Sequence, residues 1–137
     1  MLLFAAVSGC GQSGVTPPKL EKVFAPTFAN LISAQQPMLG LPVTDPKVFG
    51  ASASCHRLGP GKDPTGSGDW VCTVTWSIPS RKGVLHDRYD LTVSPDGCYT
   101  AAADGNEAHV GGATITTRDG ATVLNLLYVF DGCFDTS

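Results

Sequence analysis

The hydrophobic pattern of this 137-residue chain changes its period once, and that change limits the fold more than any other feature. Near the N-terminus, large apolar residues recur every three or four positions: Leu20, Val23, Phe24, Phe28, Leu31 and Ile32. This spacing predicts one apolar face of a helix. We therefore expect a helix from about residue 18 to 36, with Thr16 as a possible N-cap. Pro26 lies inside this segment and allows a kink or two shorter helices.

Residues 36–46 contain three prolines and form a connector, after which apolar and polar residues alternate. The alternation is clearest at Trp70, Cys72, Val74 and Trp76. Alternation with period two is typical of half-buried strands. We predict strands at residues 48–55, 70–77, 84–94, 113–117 and 122–130, the last two joined by an Asp-Gly turn at residues 118–120. The predicted fold class is α+β, with an N-terminal helix packed on an antiparallel sheet of four to five strands.

Four cysteines lie in the part of the chain predicted to fold: Cys55, Cys72, Cys98 and Cys133. Residues 96–99 (DGCY) resemble residues 131–134 (DGCF), and both follow an apolar strand end. If both strands end at the same rim of the sheet, Cys98 lies near Cys133, and Cys55 pairs with Cys72. The other pairings of four cysteines stay open at this level. Two disulfides would each contribute about 2–4 kcal/mol to stability.

The fifth cysteine, Cys10, ends the apolar segment MLLFAAVSGC. Val7-Ser8-Gly9-Cys10 resembles the lipobox of bacterial lipoproteins, in which the cysteine receives a diacylglyceryl chain and becomes the mature N-terminus. The resemblance implies a signal peptide remnant at residues 1–9, a lipidated tether at 10–17 and a single domain at 18–137. The alternative is a frayed apolar terminus with a free thiol. The composition, with much Ala, Gly, Asp and Thr, is similar to that of actinobacterial lipoproteins.

Charge and motifs exclude several functions. Nine Lys and Arg against twelve Asp and Glu, without long runs, provide no basic patch for nucleic acid. The three histidines form no metal motif, so we expect no metal, no cofactor and no catalytic residues. The densest ionisable cluster is His86, Asp87 and Asp90, and a hydrated strand explains it better than an acid–base site.

Two features suggest a binding surface. The glycine-rich segment 56–69 is too long for an ordinary hairpin loop, which indicates either a disordered tip or a recognition element. Some aromatic side chains follow the Asp-Gly-Cys corners and would sit at an exposed rim, although core packing is the favoured explanation. The candidate binding residues are Arg57, Lys62, Trp70, Tyr99 and Phe134.

The sequence therefore predicts a non-catalytic envelope protein, anchored by lipid on Cys10, that binds another envelope or secreted protein. The second hypothesis is a carrier of an apolar or glycan small molecule, for which about 120 folded residues leave little pocket volume. The third is a hydrolase built on His86, Asp87 and Asp90.

Overall fold

The computed structural model describes residues 14–59, 63–105 and 109–137. In these residues one α-helix, α1, spans Pro17–Gln35, and 3-10 turns follow at Pro37–Leu39 and Pro46–Phe49. The predicted helix is confirmed, including its cap, because the Thr16 hydroxyl accepts a hydrogen bond from the Lys19 N–H at 3.4 Å.

Helix α1 runs through Pro26 without a break. A proline removes the hydrogen bond to the carbonyl four residues earlier. Here that carbonyl belongs to Lys22, and both Lys22 and Pro26 lie on the exposed side of α1. Water can therefore hydrate the unpaired carbonyl, and the helix continues.

Seven strands follow in the described residues: β1 (Ser52–Arg57), β2 (Gly68–Trp76), β3 (Leu85–Val93), β4 (Cys98–Ala103), β5 (Thr114–Thr116), β6 (Thr122–Leu124) and β7 (Val129–Cys133). Five form an antiparallel sheet in the order β1-β2-β3-β4-β7, while β5 and β6 pair separately as a hairpin. The predicted α+β class is confirmed, with one helix on a five-stranded antiparallel sheet.

Three points of the strand prediction need correction. The strand predicted at 48–55 begins later, at Ser52, because Pro46–Phe49 forms a 3-10 turn. The segment 122–130 is not one strand, because Asn125 breaks it: its amide nitrogen donates to the carbonyls of Val110 and Gly112, at 2.7 and 2.8 Å. Its side-chain oxygen accepts from the Leu127 N–H at 3.0 Å, which closes a turn between β6 and β7. Strand β4 was not predicted, because its run of alanines lacks an alternating pattern.

The two faces of the sheet have different surroundings. Helix α1 covers the inner face, where Phe24 and Phe28 pack edge-to-face on Tyr89 with ring centroids 5.4 and 5.9 Å apart. On the outer face Thr92 is exposed and Thr73 is half-buried, as expected for a face in contact with water. The apolar core therefore lies between α1 and the inner face.

Both predicted disulfides are confirmed, and each joins residues directly opposite one another on adjacent strands. Cys55 on β1 bonds Cys72 on β2, and Cys98 on β4 bonds Cys133 on β7. The Cα–Cα distances are 4.1 and 3.9 Å, close to the spacing of non-hydrogen-bonded antiparallel pairs. Each disulfide thus ties an edge strand to its inner neighbour.

Candidate functional site

Two of the predicted binding residues support the loop between β1 and β2. The Arg57 guanidinium donates to the carbonyls of Ser67 and Asp63, at 2.9 and 3.4 Å. The Trp70 indole is fully buried and donates to the Gly66 carbonyl at 2.9 Å. These side chains hold the loop ends in place and are occupied by intramolecular contacts. Lys62 and the predicted lipidation residue Cys10 lie outside the described residues.

The two aromatic residues at the Asp-Gly-Cys corners pack in the core. Tyr99 is 2% exposed and Phe134 is 8% exposed, so neither presents an aromatic face at a rim. Tyr99 lies 6.0 Å from Phe24, measured between ring centroids. Burial raises the pKa of the Tyr99 phenol, the Thr27 hydroxyl opposes that rise, and the Asp131 carboxylate adds to it.

The ionisable cluster on β3 does not assemble as a site. Strand alternation turns Asp87 inward, where it is fully buried, and leaves His86 and Asp90 exposed on the outer face. The three-residue hydrolase site proposed from sequence therefore does not form. Asp87 instead accepts hydrogen bonds from the Trp76 indole at 2.7 Å and from the His109 backbone N–H.

The Asp87 carboxylate also contacts Nδ1 of the His109 ring at 3.2 Å. No local pattern in the sequence indicates this pair, because the two residues are 22 positions apart. His109 lines a cleft at the C-terminal end of α1, which we call the helix-end cleft, and Asp87 lies buried behind it. Its volume is about 390 Å³.

The lining of the helix-end cleft is mostly apolar: Ile32, Leu39, Leu41, Pro42, Trp76, Ile78, Val110 and Leu127. Four polar residues complete it: Gln35, Gln36, Ser80 and His109. From the number of folded residues we expected little pocket volume, but the cleft falls within the roughly 300–1,000 Å³ of small-molecule sites. The cleft is thus a candidate site for an apolar group.

Local structure explains why one wall of this cleft protrudes from the core. After α1 ends, Gly40 adopts φ +78°, a left-handed conformation that glycine allows, and the Leu41 N–H donates back to the Gln36 carbonyl at 3.0 Å. This reversal leaves Leu39 and Leu41 39% and 48% exposed. The β5–β6 hairpin braces the loop, because the Arg118 N–H donates to the Met38 carbonyl at 2.9 Å.

The edges of the five-stranded sheet form a second candidate surface. On the β1 edge, the outward Cys55 N–H donates to the Glu21 carboxylate of α1 at 2.8 Å. On the β7 edge, Val129, Asp131 and Cys133 belong to the non-hydrogen-bonded pairs with β4, so their backbone groups point away from it. No segment of the described residues pairs with this edge.

Neither a metal site nor a membrane-spanning helix is found in the described residues. In residues 14–59, 63–105 and 109–137, no three His, Cys, Asp or Glu side chains lie close enough together to hold a metal ion. The one long helix of the described residues is too polar to cross a bilayer. Comparisons with protein-family models, curated proteins and solved structures give no significant match. The function must therefore be argued from the surfaces of this domain.

Proposed function

We propose that this chain is a non-catalytic, lipid-anchored module of a bacterial cell envelope that binds an envelope or secreted protein. The observation that carries the proposal is the division of the five cysteines. Cys55, Cys72, Cys98 and Cys133 are all consumed in disulfides, which leaves Cys10 as the one thiol available for a lipid. Disulfides persist in oxidising compartments, which supports a position outside the cytoplasm.

The β7 edge is the surface we assign to the protein partner. An extended segment can add to an exposed strand through backbone hydrogen bonds, and side-chain pockets then provide specificity. Val129, the first residue of β7, is 50% exposed. A shallow depression of about 470 Å³ adjoins this edge and includes Thr100 and Asp131 in its lining. Strand β1 is less suited, because Glu21 occupies its outward N–H at Cys55.

The anchor is tested by metabolic labelling with an alkyne fatty acid in a bacterial host that secretes the full chain behind a signal sequence. The wild type should be labelled and fractionate with membranes. Cys10→Ser should lose the label and become soluble, while Ser13→Ala should behave as the wild type. An unlabelled wild type would contradict the proposed anchor.

The docking surface is tested by photo-crosslinking in the native host, with the crosslinker placed at Asp131 on β7 or at Ser54 on β1. Both residues are exposed on the outer face. A stoichiometric partner should crosslink from position 131 and not from position 54. Val129→Pro should abolish that product without unfolding the domain, because it removes only an outward N–H. Equal products from both positions, or none, would contradict docking at β7.

The helix-end cleft favours a second candidate function, the binding of a small molecule. Its volume of about 390 Å³ and its exposed Leu39 and Leu41 are the specific observations. Native mass spectrometry of the protein purified from its host would test this candidate directly. A bound mass that disappears in a Leu41→Ser variant would support it.

A further inference from the structure

We propose that the helix-end cleft binds the alkyl chain of a fatty acid, with the carboxylate head group held at a basic rim. This inference rests on the small-molecule candidate function and names the chemistry of its ligand.

The walls of the cleft suit an alkyl chain. Leu39 and Leu41 are partly exposed on one side, and Trp76, only 6% exposed, lies on the other. Trp76 is held in position by Phe28 and Phe49, with ring centroids 5.4 and 6.2 Å away. A chain lying between these walls would remove apolar surface of both partners from water, which is favourable in proportion to the area covered.

Among the described residues, the lining presents no carboxylate to a ligand. Its polar residues are Gln35, Gln36, Ser80 and His109. The Gln35 side-chain oxygen already accepts from the Leu126 N–H at 3.0 Å. Asp87 lies behind the wall, fully buried, and both of its oxygens accept hydrogen bonds from Trp76 or His109. An anionic head group therefore meets no exposed acid among the described lining residues.

The rim supplies positive charge. Arg81 and Lys82 follow the lining residue Ser80 and are exposed, and the Arg118 side chain lies beside Gly40, next to Leu39 and Leu41. The described ion pairs involve Arg88 and His109, and none uses these three rim cations. Asp119, exposed and next to Arg118 in the chain, offsets part of this charge. The rim thus complements a carboxylate, whereas an alkylammonium head group would be repelled.

The experiment compares dodecanoate, dodecanol and dodecylammonium, all below their critical micelle concentrations, by the change in tryptophan fluorescence. The protein is the full chain carrying Cys10→Ser, so that no attached lipid competes for the cleft. We expect dodecanoate to bind about fivefold more tightly than dodecanol, because two or three exposed charges each contribute little. Added salt should reduce this preference.

Three variants complete the test. Arg81→Gln with Lys82→Gln should remove the preference for dodecanoate, and the matched pair Lys22→Gln with Lys47→Gln, exposed outside the cleft lining, should keep it. Leu41→Ser should weaken all binding by about tenfold. Equal affinity for acid and alcohol in the starting protein would overturn the carboxylate assignment while leaving small-molecule binding in place. Failure to bind any of the three would overturn the alkyl-chain site itself.

Discussion

The two edges of the sheet are tied down in the same way but shielded differently. At β1 the disulfide Cys55–Cys72 lies on the inner face, buried beneath α1. At β7 the disulfide Cys98–Cys133 lies on the outer face, where Cys133 is exposed. Glu21 occupies an outward N–H of β1, and no described segment does the same for β7.

This difference separates two ways in which a disulfide stabilises a protein: it restricts the unfolded chain, and it can pack in the core. Both bonds restrict the unfolded chain, and the restriction grows with the length of the closed loop. Only Cys55–Cys72 also fills space in the core. The disulfide Cys98–Cys133 is not part of the core, so it can hold β7 in place while the β7 edge stays uncovered. That edge is therefore available to a partner.

Removing each disulfide in turn should have the largest effect on the free energy of unfolding, and it compares the two sheet edges directly. The sequence separations are 17 for Cys55–Cys72 and 35 for Cys98–Cys133. Loop entropy alone predicts losses of about 3 and about 4 kcal/mol. Loss of buried sulfur packing should raise the first to about 5 kcal/mol, so Cys55→Ala with Cys72→Ala should be the more damaging pair. Urea unfolding measures both, and a larger loss for the outer pair would show that burial adds little.

A methyl group added to β7 at Gly132 should produce the next largest loss in the free energy of unfolding. A Cβ at Gly132 would lie 2.7 Å from the Tyr99 phenol oxygen, and the buried Tyr99 ring has little room to move. We expect Gly132→Ala to reduce the free energy of unfolding by about 2 kcal/mol. In a Tyr99→Phe background the cost should shrink, because the oxygen is gone. An equal cost in both backgrounds would place the strain elsewhere.

Alkaline pH should also weaken the β7 side. Burial raises the pKa of Tyr99 in the folded protein, so as the pH rises above about 10, the ordinary pKa of tyrosine, the unfolded state loses the proton first. Stability is then intact below about pH 10 and falls as the pH rises, by about 1.4 kcal/mol per pH unit for each such tyrosine. Burial also raises the pKa of Tyr89. Tyr99→Phe should therefore reduce the slope measured by urea unfolding, and an unchanged slope would contradict this assignment.

The smallest effect should come from exposing the β1 edge. Glu21→Ala removes the acceptor of the Cys55 N–H, a partly buried charge-assisted hydrogen bond, and should cost about 1 kcal/mol. Its exposed neighbour Lys22 is the control, and Lys22→Ala should change thermal stability little. If the two variants have the same melting temperature, Glu21 does not protect this edge.

Local patterns in the sequence predicted much of the fold. Three- and four-residue spacing predicted α1, and alternation predicted β2 and β3. The repeated Asp-Gly-Cys corners predicted that Cys98 and Cys133 are partners. These features depend on neighbours along the chain, where periodicity is informative. Strand β4 has three consecutive alanines and gave no such signal.

The candidate surfaces were harder to predict because they depend on contacts between distant residues. The helix-end cleft combines the end of α1, the loop after it, the end of β2 and the segment around His109. Asp87 finds its partner 22 residues away. Trp70, Tyr99 and Phe134 were candidate contact residues as aromatic side chains, the last two because they follow Asp-Gly-Cys corners, but their large apolar rings pack in the core.

The two disulfides also divide the backbone into closed rings. One ring runs from residue 55 to 72, and the other runs from 98 to 133 and contains the β5–β6 hairpin. A protease that cuts once inside either ring breaks the chain but releases no fragment. In a compartment with many proteases, a nicked molecule would keep its final strand attached and would still migrate as one species on a non-reducing gel.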